Sequence, residues 1–395
     1  MSTVSAAARA PVVSGARLTR ALNLNITGAV MAHAWFSVCG PQQVFNVFFK
    51  NHLGASAFTL GLLVSLLSFS SVFSLLAVAM FTRPRRRKPI WLAAHVVARA
   101  IGFVLAAVSL LEVRTGDKAL AVRVILFSMP VAWAMMNATA SGWWAWMADL
   151  IPESRRARFF GRRSAIIFAV NMSWVFLVTV FLDEPAHPAL AYALVFTISG
   201  VFGVADILLY LAIPDPARLA GGGEASARLS LPAFVEPLRS SQFVRFCLAV
   251  GLAMLSINVL APFIPPYITD PAAVGAPYTW LGIMTVISQL SWVGSVRTWG
   301  ALMDRFGRKP VVALCSLFPL AWLAYLAVGP RSYVVLLPLI SLLGGVLAPG
   351  FYEGINQLML SLTPERNRTT YVAWYLAIIG VIGAGGSLLG GALAS

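Results

Sequence analysis

Long apolar stretches recur along almost the whole chain, and they constrain its fold more than any other feature. Eleven runs can be marked, at about 22–48, 56–82, 89–111, 120–148, 160–182, 189–213, 243–268, 277–302, 309–328, 333–361 and 370–394. Each has roughly the 20 residues that a helix needs to cross a hydrocarbon core about 30 Å thick. Backbone N–H and C=O groups find no partners in lipid, so each run must satisfy its own by forming an α-helix. Of the 395 residues, 59% are hydrophobic and only 11% charged, which excludes a soluble domain of this size. The expected fold is an all-α polytopic membrane protein.

A net charge of +15 would by itself suggest a nucleic-acid partner. Its distribution points to the lipid bilayer instead. The basic residues crowd into alternate connections, at 83–88, 155–163, 218–245, 305–309 and 366–368. The intervening connections hold few, chiefly Lys50, Arg114, Lys118 and Arg331. Basic residues accumulate in cytoplasmic loops, so the N-terminus is expected in the cytoplasm and no nucleic acid is expected as a partner. The first apolar run is too long for the core of a cleaved signal peptide. Cys39, Cys247 and Cys315 fall in three different runs without metal-ligand spacing, so no metal and no cofactor are expected.

The chain also repeats itself. Lys88-Pro89 and Lys309-Pro310 follow comparable basic turns, and Gly40-Pro41 and Ala261-Pro262 stand at the same offset. Leu150-x-Pro152-Glu153-x-x-Arg156 matches Leu362-x-Pro364-Glu365-x-x-Arg368 at a slightly shorter offset. Runs one to five thus recur as runs seven to eleven with one length change, near 111–119. Between them, Pro214, Pro216 and Gly221-Gly222-Gly223 mark a flexible linker. The expected organisation is an N-terminal half at 1–213, a cytoplasmic linker at 214–241 and a C-terminal half at 242–395.

The stretch Gly300-Ala301-Leu302-Met303-Asp304-Arg305-Phe306-Gly307-Arg308-Lys309 reads G-x-x-x-D-R-x-G-R-K. Gly300 would allow close helix approach and Gly307 a tight, left-handed turn. This stretch resembles the cytoplasmic signature loop of the major facilitator superfamily (MFS) of membrane transporters. The resemblance implies two six-helix pseudo-symmetric halves, helices one, four, seven and ten lining a central cavity, and alternating access by rocking of the halves. Two features depart from the family pattern. The first-half turn, Thr82-Arg83-Pro84-Arg85-Arg86-Arg87-Lys88, has no acid where Asp304 stands, so gating there would rest on Asp149 or Glu153. The chain ends at Ser395 with the eleventh run, so the second half is expected to hold about five helices and to lack the twelfth.

Polar residues on the four cavity runs are the candidate substrate or coupling residues. The tenth run carries Tyr352, Glu353 and Asn356 on one helical face, and the fourth carries Asn137, Ser141 and Trp144. The first carries His33 and Gln43, and the seventh Asn258. An acid near the bilayer centre costs about 2.5–3.5 kcal/mol on insertion scales, which makes Glu353 the candidate coupling acid. Asn171 is expected to join helices, as is common for amides in membrane bundles. Arg99 and Asp206 lie at matching depths in runs three and six and are expected to form a structural ion pair. Glu153, Arg156, Asp304, Arg305, Arg308, Lys309, Glu365 and Arg368 are expected to form a cytoplasmic gate network, with Gly300 and Gly307 shaping its loop.

No G-x-x-x-x-G-K-[ST] stretch occurs, so energy must come from a gradient rather than a nucleotide. No serine–histidine or metal cluster suggests an enzyme. The expected function is secondary transport of a small solute, amphipathic or aromatic, by a monomer in a bacterial cytoplasmic membrane, with proton coupling through Glu353 and facilitated diffusion both open. The fifth run, 164–182, lacks the G-x-x-x-G-P-x-x-G-G pattern of drug–proton antiporters. The alternative is a non-transporting MFS-like receptor or assembly factor, which a sealed centre would support.

Overall fold

A computed structural model of the chain describes residues 13, 15–80, 87–216, 230–364 and 367–395. The basic turn at 82–86, the triple glycine of the linker and Glu365 lie outside the described residues. Eleven helical columns follow in order: α1 (Gly15–Cys39), α2 (Ala57–Val78), α3 (Arg87–Thr115), α4 (Lys118–Leu150), α5 (Glu153–Phe181) and α6 (Pro188–Leu211), then α7 (Ser241–Thr269), α8 (Thr279–Phe306), α9 (Arg308–Ala327), α10 (Tyr333–Leu362) and α11 (Arg368–Leu393). A short linker helix, Leu231–Arg239, precedes α7. No strand occurs among the described residues.

Among the described residues, nine columns are long and apolar enough to cross a membrane. The other two are α1 and α8. Asn23, Asn25 and His33 lower the apolarity of α1, and Thr285, Ser288, Gln289 and Ser291 lower that of α8. Several of these polar residues turn out to face the interior of the protein rather than lipid.

Local chemistry sets the helix ends. Asp117 accepts the Leu120 N–H at 2.8 Å and starts α4, and the Ser240 hydroxyl caps α7. Gly307 closes α8 with φ +89, a conformation that a side chain disfavours, so α9 can begin at once at Arg308. The expected close approach at Gly300 does not occur, because no atom lies within 4 Å of a Cβ built there. The close approach lies further into the membrane, at Gly345 of α10, where a Cβ would collide with Ser288 of α8. Gly300 therefore sits on an open stretch of α8.

In the first half α6 packs on α1 and α3, and α3 on α4. In the second, α10 packs on α8 and α9, and α7 on α11. The halves meet along two seams, α2 against α11 and α5 against α8. The sequence repeat exchanges these seams, since α2 corresponds to α8 and α5 to α11. One face of the bundle carries the arginine-rich turns and the linker helix, and is termed the basic face. The other carries the connections at 48–56, 115–118, 182–188, 269–278 and 328–333.

Candidate substrate cavity

The two halves are tied together at the opposite face by hydrogen bonds. Asn46 Nδ2 donates to the Pro262 carbonyl at 3.0 Å and Asn51 Nδ2 to the Pro266 carbonyl at 2.9 Å, joining the segment that follows α1 to the far end of α7. The Asp183 carboxylate, just beyond α5, accepts the Tyr278 N–H and the Thr279 hydroxyl, each at 2.5 Å. An acid of the first half thereby caps the N-terminus of α8 in the second, where the helix dipole favours negative charge. Tyr278 donates its hydroxyl to the Val44 carbonyl at 3.2 Å. Beside this seal, His52 Nε2 lies 2.7 Å from Glu112 Oε2. Burial holds the His52 imidazole below its ordinary value, against the pull of Glu112.

Toward the basic face the halves separate. There α4 and α10 are not a packed pair. Trp144 is 61% exposed, and Glu353 and Asn356 are exposed as well. Beneath the seal lies a cavity of about 330 Å³. Its walls come from Ser37 of α1 with Gln42 and Gln43 just beyond it, Asn171 and Val175 of α5, and Thr285, Ser288, Gln289 and Trp292 of α8. From α9 come Phe318, Trp322 and Tyr325, and from α10 Ser341, Gly344 and Tyr352. The Thr285 hydroxyl donates to Gln43 Oε1 at 2.9 Å, joining the halves across the cavity. The Trp292 and Tyr352 rings stack at 6.1 Å with 24° between planes, forming an aromatic wall. Asn171 Oδ1, Gln289 Oε1 and Trp322 Nε1 are buried with no hydrogen-bond partner among the described residues.

Of the candidates read from the sequence, Gln43 and Tyr352 line this cavity. The others are placed elsewhere. Asn137 donates to Ser70 Oγ at 2.8 Å, and Asn258 to the Gly383 carbonyl at 3.2 Å, each bridging to a neighbouring helix. The Ser141 hydroxyl is buried without a partner among the described residues. His33 is exposed, with Nδ1 at 2.8 Å from the Ala29 carbonyl of its own helix. Sequence reasoning missed Gln289, Trp292 and Trp322, and it assigned Asn171 to helix joining. A usable signal was present in α8, where Thr285, Ser288, Gln289 and Trp292 recur at helical spacing within an apolar run.

Arg99 Nη2 lies 3.4 Å from Asp206 Oδ2, and both side chains are buried. The guanidinium stacks 4.2 Å over the Trp35 ring, while its Nε and Nη1 and Asp206 Oδ1 have no hydrogen-bond partner among the described residues. This pair is away from the cavity, in the packed core of the first half. The gate candidates are dispersed. Asp304, Arg305, Arg308 and Lys309 are exposed, and no ion pair joins them among the described residues. Arg156 donates to the Ala148 and Ile151 carbonyls at 2.9 and 3.3 Å, so it caps the end of α4 rather than meeting Glu153, which is exposed. The well-formed ion cluster at the basic face was not foreseen. Arg87 places Nη1 2.6 Å from Asp149 and Nη2 2.6 Å from Asp215.

Two helical halves enclose a central cavity, and hydrogen bonds between the halves close it at the face opposite the basic one. Residues 246–395 match the family model described as Major Facilitator Superfamily. No curated protein sequence matches the chain. Solved structures agree over nearly its whole length. The nucleoside transporter NupG, in a mutant form, superposes with TM-score 0.70 at 16% identity, covering 95% of this chain and 91% of that one. The xylose transporter XylE from E. coli, partially occluded and inward open, gives TM-score 0.63 at 14% identity, covering 96% of each chain. A bacterial homologue of the iron transporter ferroportin, inward-facing, gives 0.57 at 16%, also covering 96% of each. The chain is thus a multi-pass membrane protein whose second half matches the major facilitator superfamily model and whose fold, over nearly its whole length, is that of these solved transporters.

Proposed function

We propose that the chain is a secondary active transporter that moves a small amphipathic or aromatic solute by alternating access. The observation that carries this reading is the central cavity, closed by cross-half hydrogen bonds on one face; we take its entrance to lie toward the basic face, where α4 and α10 are not a packed pair. The basic face is assigned to the cytoplasm of a bacterial cell, following the positive-inside distribution. Residues 1–213 and 242–395 are the rocking units, and 214–241 tethers them. A monomer suffices, because the cavity is complete within one chain. No catalytic chemistry is proposed.

In this reading the structure is the inward-open state, and the dispersed residues Asp304, Arg305, Arg308, Lys309, Glu153 and Arg368 assemble only when the cytoplasmic side closes. Glu353, exposed near that side, is the proposed proton-coupling acid. A D-xylose–proton symporter among the solved structures of the same fold supports proton coupling as a mode this architecture can host. A receptor that does not transport would be expected to fill its centre with side chains, and the open cavity counts against it.

Paired spin labels test the reading. Labels at Arg155 and Leu360 report on the basic face, and labels at Glu184 and Ala272 on the opposite face; all four sites are exposed. The expected result is two populations whose distances change in opposite senses at the two faces. A single fixed distance at both faces under all conditions would defeat alternating access. Coupling has its own test: uptake by Glu353→Gln should lose its dependence on a proton gradient.

A further inference from the structure

We infer that the transported solute is uncharged and carries a flat ring bearing both hydrogen-bond donors and an acceptor. The inference deepens the transport reading above and rests on it. It starts from what the cavity lacks: among the described residues, no Asp, Glu, Lys, Arg or His lines it. Two buried or half-buried arginines of the first half are committed elsewhere. Arg99 lies over Trp35 and against Asp206, and Arg163 donates to Asn25 at 3.1 Å and lies over Trp143. An ionised solute entering this cavity would lose its water and meet no opposite charge, which is the costliest way to bury an ion.

What the walls do offer is specific. The stacked Trp292 and Tyr352 rings present flat apolar surface, on which another ring can stack. Asn171 Oδ1 and Gln289 Oε1 are buried acceptors without donors, and the Trp322 indole N–H is a buried donor without an acceptor, among the described residues. A native interior rarely leaves such groups unpaired, so these three, with the Ser341 hydroxyl as a fourth at the same cavity, amount to a demand for complementary groups on a ligand. Turning either amide end for end exchanges an acceptor for a donor and leaves that demand in place. A solute that meets it has N–H or O–H groups and a carbonyl-type oxygen. The volume, about 330 Å³, is at the small end for ligand pockets and fits one or two rings.

A matched panel separates charge from shape: nicotinamide (neutral), nicotinate (anionic), 1-methylnicotinamide (cationic) and cyclohexanecarboxamide (neutral, saturated ring). Binding to the purified full chain is measured by equilibrium dialysis at pH 7.5. Nicotinamide is expected to bind at least about tenfold tighter than either ion, a difference of about 1.4 kcal/mol. It should also bind tighter than the saturated amide. Trp292→Leu should erase the preference for the flat ring, and Gln289→Leu should weaken both neutral amides. Equal or tighter binding of either ion, no ring preference in the wild type, or binding by no member of the panel would overturn the inference. The wild-type comparison decides even where a variant does not fold. Labelled nicotinamide flux into proteoliposomes separates the two readings. Binding without flux defeats transport and leaves the solute class standing. Flux of an ion at the same rate defeats the class and leaves transport standing.

Discussion

Replacing Arg87 tests how the basic face is held together. The side chain is 4% exposed at the start of α3. Its Nη2 and Nε both donate to the Asp215 carboxylate, at 2.6 and 3.4 Å, in a bidentate fork. Its Nη1 reaches Asp149 at 2.6 Å. The two acids differ in environment, Asp215 being 1% exposed and Asp149 51%. Arg87→Met keeps much of the apolar stem and removes the charge. Asp149 is half in solvent, so losing that contact should cost at most about 1 kcal/mol. Asp215 loses its bidentate partner but keeps a further interaction, and the cost of about 3–5 kcal/mol for breaking a buried pair from one side applies in full only to a charge left uncompensated. The single variant should therefore lose about 3 kcal/mol, the lower end of that range. Adding Asp215→Asn removes the buried charge itself, and the double variant should recover half or more of the loss. Reversible SDS-driven unfolding in bicelles, followed by near-ultraviolet circular dichroism, measures the wild type, both single variants and the double variant. A loss below about 1 kcal/mol in Arg87→Met, or a double variant that simply sums two single losses, would refute the reasoning.

Three further outcomes follow from the same geometry. Asp183→Ala removes the cap that the first half places on α8, worth about 1 kcal/mol, or roughly fivefold in population; labelling of a cysteine at Thr285 from the opposite face should rise accordingly, and an unchanged rate would count against the seal. Asp304→Asn should alter how often the cytoplasmic side closes without altering solute preference, read from cytoplasmic labelling rates; identical accessibility would remove Asp304 from the gate. Because burial holds the His52 pKa below its unfolded value near 6.5, its contribution is complete above that pH and is lost as pH falls through and below it. Melting at pH 7.5 and 5.5 should show a smaller acid-induced drop in His52→Gln than in the wild type, and an equal drop would dismiss this titration.

How far the fold could be read before the structure depended on which physical signal was involved. Membrane crossing leaves a long, additive signal, so all eleven columns were visible, and the repeated Lys-Pro and Pro-Glu-x-x-Arg turns gave the internal symmetry. Gly307 was legible because a positive φ demands glycine at a tight helix junction. Gly300 misled, since a small residue allows close approach without requiring it. The cavity was harder. Helical spacing shows which side chains share a face but not which neighbour that face meets. Asn137 and Asn258 therefore looked equivalent to Gln43, although they spend their amides on Ser70 and Gly383. Asn171 was read as a helix-joining amide because a lone amide in an apolar run is compatible with either role. Arg87 was hidden inside a basic cluster, and only the folded chain brings Asp149 and Asp215 to it from the ends of α4 and α6.

The central claim is that the cavity carries solute across the membrane rather than only holding it. Flux into proteoliposomes of the tightest-binding solute, compared with protein-free vesicles, tests this most directly. The account expects saturable flux that falls sharply in Gln289→Leu and responds to an imposed pH gradient. Tight, saturable binding with flux no greater than in protein-free vesicles would contradict it and make the chain a receptor.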